Sequence, residues 1–189
     1  METKSDLRNN YRAKRKRITP EESSSLSLSI ARQVEDYLRD HSHIKHIHIF
    51  LPIKKLNEIN TFPLIEKLLQ ADKNLYTSVT DFTTQDMATI KLLAPLNTKE
   101  DEFGIPVPVL REEVCVENIQ MVLIPLLAYD LEGNRLGYGM GFYDRFLESL
   151  PQQVLKAGVS FFPPEKVIPS EVHDIKLDIC FTATQVYLF

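Results

Sequence analysis

The sequence predicts one three-layer α/β/α domain built on a mainly parallel central sheet, and three observations carry that reading. Apolar runs of strand length alternate along the chain with segments of helical spacing. The run Met121 to Ala128 is almost continuously apolar, as in a strand covered on both faces. The chain has 189 residues and 43% hydrophobic content, enough to bury one sizeable core, and no repeat or low-complexity linker divides it. Residues 1–189 are therefore read as a single domain.

Residues 2–17 read as a basic helix. Lys4, Arg8, Arg12 and Arg15 recur at steps of four, four and three and share one face, while Leu7, Tyr11 and Ile18 mark another. The run Lys14 to Arg17 is taken as solvated charge. Thr19, Pro20 and Glu22 then form a start signal, with Thr19 as N-cap, Pro20 at the first helical position and Glu22 placed for a capping box. That helix runs to about Arg39, with Leu26, Ile30, Val34, Tyr37 and Leu38 on its buried stripe.

Ile44 to Leu51 reads as a strand carrying His46 and His48 on one face. No carboxylate or cysteine stands at supporting spacing, so polar residues on a half-buried strand are preferred to a metal pair. Pro52 ends the strand, the loop Ile53 to Asn60 carries Glu58, and Thr61 to Ala71 reads as a helix. Leu75 to Val79 and Met87 to Leu93 are further strands. Phe103 to Pro108 holds two prolines and reads as a stiff, extended loop that positions its neighbours.

After the run Met121 to Ala128 come the turn formers Asp130, Gly133 and Asn134, then Gly137, Gly139 and Gly141 at alternate positions. Phe142, Phe146, Leu147 and Leu150 resume a helical spacing, so the glycines fall at or just before a helix start, where unpaired N–H groups favour phosphate. The Arg135 fork suits phosphate oxygens, and Asp144 could share Mg²⁺ with them. The competing interpretation is a flexible loop followed by a first-turn carboxylate. The spacing matches neither the P-loop nor the dinucleotide fingerprint. Gln153 to Val159, Ile179 to Ala183 and Gln185 to Phe189 read as the remaining strands.

Gly-Asn-Arg-Leu-Gly-Tyr-Gly-Met-Gly-Phe-Tyr-Asp-Arg-Phe-Leu, residues 133–147, resembles the signature of the 5-formyltetrahydrofolate cyclo-ligase family, also called methenyltetrahydrofolate synthetase. Further family-like stretches lie at Lys4 to Arg8, Phe50 to Thr61 and His173 to Asp178, so the resemblance extends over most of the chain. It implies ATP-dependent cyclisation of 5-formyltetrahydrofolate, with or without a polyglutamate tail, to 5,10-methenyltetrahydrofolate, with release of ADP and phosphate. A non-catalytic folate- or nucleotide-binding protein on the same fold is the alternative.

The resemblance further implies that ATP lies on Lys4, Ser5, Asp6, Leu7 and Arg8 and on Arg135, Leu136, Gly137, Tyr138, Gly139, Met140, Gly141, Phe142 and Tyr143. Arg135 and Tyr143 are its catalytic candidates. It places the folate on Leu51, Glu58 and the stretch Tyr138, Gly139, Met140, Gly141 and Phe142, and Mg²⁺ on Asp144 and Asp174. Three departures from relatives stand out. Ser78, Val79 and Thr80 occupy a place where relatives often have proline and a basic residue. Pro163 and Pro164 stand where a glutamine is common, and Met140 where some relatives have lysine.

A formal net charge of −4 argues against a general nucleic-acid binder. No apolar run approaches membrane-spanning length and the N-terminal stretch is charged, so a cytoplasmic location with no membrane or obligate protein partner is expected. Cys115 and Cys180 are far apart and are read as core thiols, with neither a disulfide framework nor a zinc site.

Overall fold

The computed structural model describes residues 2–84 and 86–189. Helix α1, Lys4–Lys16, starts at a Thr3–Asp6 capping box, and α2, Pro20–Asp40, at the Thr19–Glu22 box anticipated above. Strand β1, His46–Ile49, is followed by a 3-10 turn at Lys54–Leu56, helix α3, Phe62–Gln70, and strands β2, Asn74–Thr80, and β3, Met87–Lys91. A hairpin of β4, Thr98–Glu100, and β5, Pro106–Pro108, precedes the short β6, Glu112–Glu113. Strand β7, Met121–Pro125, leads to a two-stranded ribbon of β8, Ala128–Tyr129, and β9, Arg135–Leu136. Helix α4, Phe142–Glu148, then β10, Leu155–Val159, β11, Ile179–Phe181, and β12, Val186–Leu188, complete the order.

The main sheet has the order β12-β11-β10-β7-β1-β2-β3-β6. Its five central strands, β11 to β2, pair in parallel, and antiparallel strands are added at both edges. This is the mainly parallel α/β sheet that the apolar runs predict. Period-two alternation divides its side chains between two cores. Ile47, Ile49, Met121, Leu123, Ile179 and Phe181 pack with α2 and α3, whereas Val122, Ile124 and Cys180 pack with Phe146 and Leu147 of α4 on the opposite face. Helix α1 lies apart from both layers. Its Leu7 and Tyr11 join Leu127, Ala128, Leu136 and Ile168 against the ribbon.

The ribbon corrects the expectation of one continuous strand to Ala128: β7 stops at Pro125, and the chain turns into separate pairing. Proline has no N–H to extend a central ladder, which accounts for the stop. The buried carboxylate of Asp130 holds the ribbon's turn. It accepts hydrogen bonds from the N–H groups of Glu132, Asn134 and Ile168 and from the Asn134 amide. Gly133, at φ +79°, completes the turn. A Cβ there would stand 2.8 Å from the Leu177 carbonyl oxygen, which explains the glycine.

Three further expectations are revised. Phe103–Pro108 is extended as foreseen, but its last three residues form β5 in a hairpin. His48 is fully buried, beneath Phe146, with its Nε2 2.7 Å from Ser78 Oγ. Cys180 is a core thiol, whereas Cys115 is exposed.

Candidate active site

Chain direction places a crevice between β1 and β7. From β1 the chain passes through α3 to β2 on one side, and from β7 through α4 to β10 on the other, with α3 and α4 on opposite faces of the sheet. Such a reversal leaves a gap at the carboxyl ends of the two strands. Phe50 and Leu51 at the end of β1 and Pro125 at the end of β7 line a cleft of about 540 Å³ there.

Helix α1 forms one wall, and its basic face explains the spacing of its cations. Lys4, Arg8 and Arg12 line the cleft. Arg8 Nε donates to the Gly137 carbonyl at 3.0 Å, and Arg12 reaches the Tyr138 carbonyl at 3.3 Å. Gly139, at φ +99°, lets this backbone pass the Arg8 guanidinium, which a Cβ would meet at 3.1 Å. Ser5 and Asp6 are exposed, and Leu7 is buried in the core. None of the three lines the cleft, and Asp6 caps its own helix.

The run Lys14 to Arg17 is not uniformly solvated. Arg15 is only 3% exposed, and its two terminal nitrogens donate to the Tyr138 hydroxyl at 2.6 Å and to the Leu126 carbonyl. Tyr138 in turn donates to Glu58 Oε1 at 2.6 Å, while Glu58 Oε2 accepts from the Ile53 N–H at 2.8 Å. One hydroxyl thus joins a buried cation to a buried carboxylate. Burial pushes the Glu58 carboxyl pKa up, opposed by the Ile53 N–H, the Tyr138 hydroxyl and the Arg15 charge. Burial also raises the Tyr138 phenol, which stays protonated and able to donate.

Arg135 and Leu136 belong to strand β9, so Arg135 is presented by a hydrogen-bonded ribbon. The Arg135 side chain is buried. Nε donates to the Ile175 carbonyl at 2.9 Å and Nη2 to Asp144 Oδ1. Burial lowers its pKa and Asp144 and Asp174 oppose that shift; a guanidinium remains charged at neutral pH. Lys4 pairs with Asp174 at 2.6 Å and Glu171 at 2.9 Å. Burial works to lower the Lys4 pKa, but the two carboxylates outweigh it and the net shift is upward. Burial likewise works to raise Asp174, and its bonds to Lys4 and the Glu171 N–H hold it below the usual carboxylate range. Lys4 and Arg135 are thus each paired with a carboxylate that lines the cleft, Asp174 and Asp144.

Gly141, at φ +70°, is the N-cap of α4, so the glycines do precede a helix start. That helix has only seven residues and contributes a correspondingly small field. The positive charge lining this region is carried by the side chains of Lys4, Arg8, Arg12 and Arg135. Tyr143 and Asp144 of its first turn line the cleft beside Gly137 to Phe142, and burial raises the Tyr143 phenol pKa. Another part of the lining is aromatic, with Lys55 Nζ donating to the Phe103 carbonyl beside it. Phe82 packs against Phe103 at 4.8 Å and Phe142 at 5.6 Å between ring centroids, and Met140 is 57% exposed nearby in the glycine stretch. The sequence reading included Phe142 but left out Arg12, Arg15, Phe82 and Phe103. The face shared by Arg12 and Arg15 with Lys4 and Arg8 was the signal that could have included the first two.

The donor set fits a hard divalent cation. Asp144 and Asp174 line the cleft, and no histidine or cysteine does so among the described residues. Nor does any group of three or more His, Cys, Asp and Glu there form a complete metal cage. An ion held by these residues must take its remaining oxygens from a phosphate ligand and water, as Mg²⁺ does.

A profile described as the 5-formyltetrahydrofolate cyclo-ligase family matches residues 1–183. The chain is 37% identical over 95 residues to the 5-formyltetrahydrofolate cyclo-ligase of Haemophilus influenzae, covering 49% of this chain and 51% of that protein. It is 25% identical over 181 residues to that of Mycoplasma genitalium, covering 95% and 97%. The fold superposes on a 5,10-methenyltetrahydrofolate synthetase of Aquifex aeolicus with a TM-score of 0.83 and 30% identity, covering 98% of this chain and 92% of that one.

Proposed function

The chain belongs to the 5-formyltetrahydrofolate cyclo-ligase family, and from that premise we propose that it closes 5-formyltetrahydrofolate to 5,10-methenyltetrahydrofolate at the expense of ATP. The observation that carries this reading is one cleft lined both by the cations Lys4, Arg8 and Arg135 and by the rings of Phe82, Phe103 and Phe142. A nucleoside triphosphate and a flat heterocycle with an aryl tail call for those two environments side by side. Residues 1–189 act as one domain in this reading, and the reaction is placed in the cytoplasm.

The chemistry sets the demand. A formamide oxygen is a poor leaving group, and N10 of the folate is a weak nucleophile toward an amide. Transfer of the γ-phosphoryl group to the formyl oxygen makes an imidate phosphate, N10 attacks the same carbon intramolecularly, and the oxygen departs with the phosphate. Catalysis then consists largely of positioning and charge neutralisation. In this reading Arg135 neutralises charge on the transferring group, and Lys4, Arg8 and Arg12 hold the remaining phosphates. Asp144 and Asp174 would hold Mg²⁺, which supplies charge neutralisation between adjacent phosphates. Leu51, Glu58 and the stretch Tyr138 to Phe142 would contact the folate, a reading supported by their lining the same cleft. Glu58, when ionised, offers acceptors to adjacent N–H groups of a pterin edge.

The test is ADP release by the purified protein with Mg-ATP, with and without 5-formyltetrahydrofolate, while the methenyl chromophore is followed in the same cuvette. Folate-dependent ADP release matched one to one by chromophore is expected. ADP without chromophore overturns the reading in favour of another phosphotransferase, and binding without turnover overturns it in favour of a binding protein.

A further inference from the structure

His48 and Ser78 form a pair that the reaction scheme above does not use. His48 is 0% exposed on β1, walled by Phe146 at 4.6 Å and Tyr143 at 6.4 Å between ring centroids. Its Nε2 lies 2.7 Å from Ser78 Oγ, and its Nδ1 is buried with no hydrogen-bond partner among the described residues. Burial takes the imidazole pKa down to about 3, so the ring is neutral and carries one N–H. That proton has two possible positions. On Nδ1 it would be a buried donor with nothing to bond; on Nε2 it bonds Ser78 and leaves only an unfilled lone pair on Nδ1. Orphaned buried N–H groups are rarer than unfilled acceptors, so the Nε2–H form is the one this surrounding selects.

The consequence falls on Ser78. Its oxygen receives the His48 N–H, so its own proton must go elsewhere. Thr89 stands directly opposite in the β2–β3 ladder, yet Thr89 Oγ1 is itself buried and unbonded, so it does not take that proton. Ser78 lines the cleft, on the wall that also carries Thr80 and Met87. We infer that His48 fixes the Ser78 hydroxyl as a hydrogen-bond donor into the cleft, making Ser78 a specificity residue for an acceptor on the folate-class substrate, a carbonyl oxygen or an unprotonated ring nitrogen.

This inference rests on reading the cleft as a folate site, and two measurements separate its failure from failure of that reading. The first is the long-range ¹⁵N–¹H spectrum of the His48 ring in the unaltered protein at neutral pH. A pyrrole-like Nε2 and a pyridine-like Nδ1 are expected; the reverse assignment overturns the inference whatever the substrate. The second is binding of 5-formyltetrahydrofolate to the parent, Ser78→Ala and Ser78→Cys. About tenfold weaker binding is expected for Ser78→Ala, the weight of one ligand-facing hydrogen bond, with an intermediate value for the weakly donating thiol. Parent-like affinity in both variants overturns the Ser78 role alone. No binding by the parent overturns the functional reading and the assigned substrate class with it, and leaves the spectrum as the judge of the His48–Ser78 geometry.

Discussion

Arg15 and Glu58 lie 43 positions apart in the chain and are joined by one hydroxyl, that of Tyr138, which accepts from the first and donates to the second, both at 2.6 Å. A cation with so little solvent contact depends on those partners, and so do they on it. The arrangement ties helix α1, the glycine stretch and the loop after β1 into one unit beside the cleft.

Arg15→Met is accordingly expected to cost about 3 kcal/mol of stability, the range for removing one charged partner from a buried network. It should also raise KM for the folate more than it lowers kcat, because Tyr138 and Glu58 lose their restraint. Arg15→Lys keeps the charge without the fork and should fall between the two. Urea unfolding together with steady-state kinetics checks both parts, and a parent-like KM in Arg15→Met would count against the positioning role.

Glu58 makes stability depend on pH in a direction opposite to that of a salt-bridged carboxylate. Its folded pKa lies above the ordinary value of 4.5, chiefly through burial. From about pH 4.5 up to the folded value the native state binds more protons than the unfolded chain, so stability contributed by this group falls as pH rises through that window. Glu58→Gln does not titrate. The free-energy gap between variant and parent should therefore shift in the variant's favour as pH rises from about 4.5 toward neutrality, as read from urea melts across that range. A gap that stays constant would remove the argument.

Arg135→Ala and Asp144→Ala are each expected to lower turnover by about a hundredfold or more, the loss found when a charge partner of a transition state is removed. The coupled ADP and chromophore assay measures it. Near-parental rates in both, with circular dichroism unchanged, would displace the phosphate site from the Arg135 region.

Gly133→Ala tests the ribbon alone. A positive φ combined with a Cβ 2.8 Å from the Leu177 carbonyl oxygen should lower stability by about 2 kcal/mol. A thermal melt indistinguishable from that of the parent would mean that the turn relaxes freely.

The sheet and long helices were legible because period-two and 3.6-residue patterns survive in any one segment read by itself. The run Met121 to Ala128 announces a strand covered on both faces, formed over Met121–Pro125, and Thr19, Pro20 and Glu22 announce a helix start. Ribbon strands β8 and β9 have two residues each, too few to show a period, and only the Asp130–Asn134 turn signal hinted at them. Burial of Arg15 was hidden for a different reason. A charge run looks the same whether solvated or buried, and the groups that accept from Arg15 lie 111 and 123 residues away. The Ser78–His48 bond was equally out of reach, since strand alternation says which face a residue takes and not which neighbour it meets across 30 residues.

The docking of helix α1 across the cleft has a temporal side. Lys4 meets Asp174 over 170 residues of chain, Arg8 meets Gly137 over 129, and Arg15 meets Tyr138 over 123. Closing loops of that length carries an entropic cost that local contacts do not share, and contacts of this kind are the slow ones in folding. On a ribosome this helix is made before its partners: Arg8 and Arg15 wait for Gly137 and Tyr138, and Lys4 waits longer, for Asp174. The wall of the cleft that α1 forms is thus assembled from partners made much later than the helix, and a product ending before Asp174 would lack the Lys4 counter-charge together with strands β11 and β12.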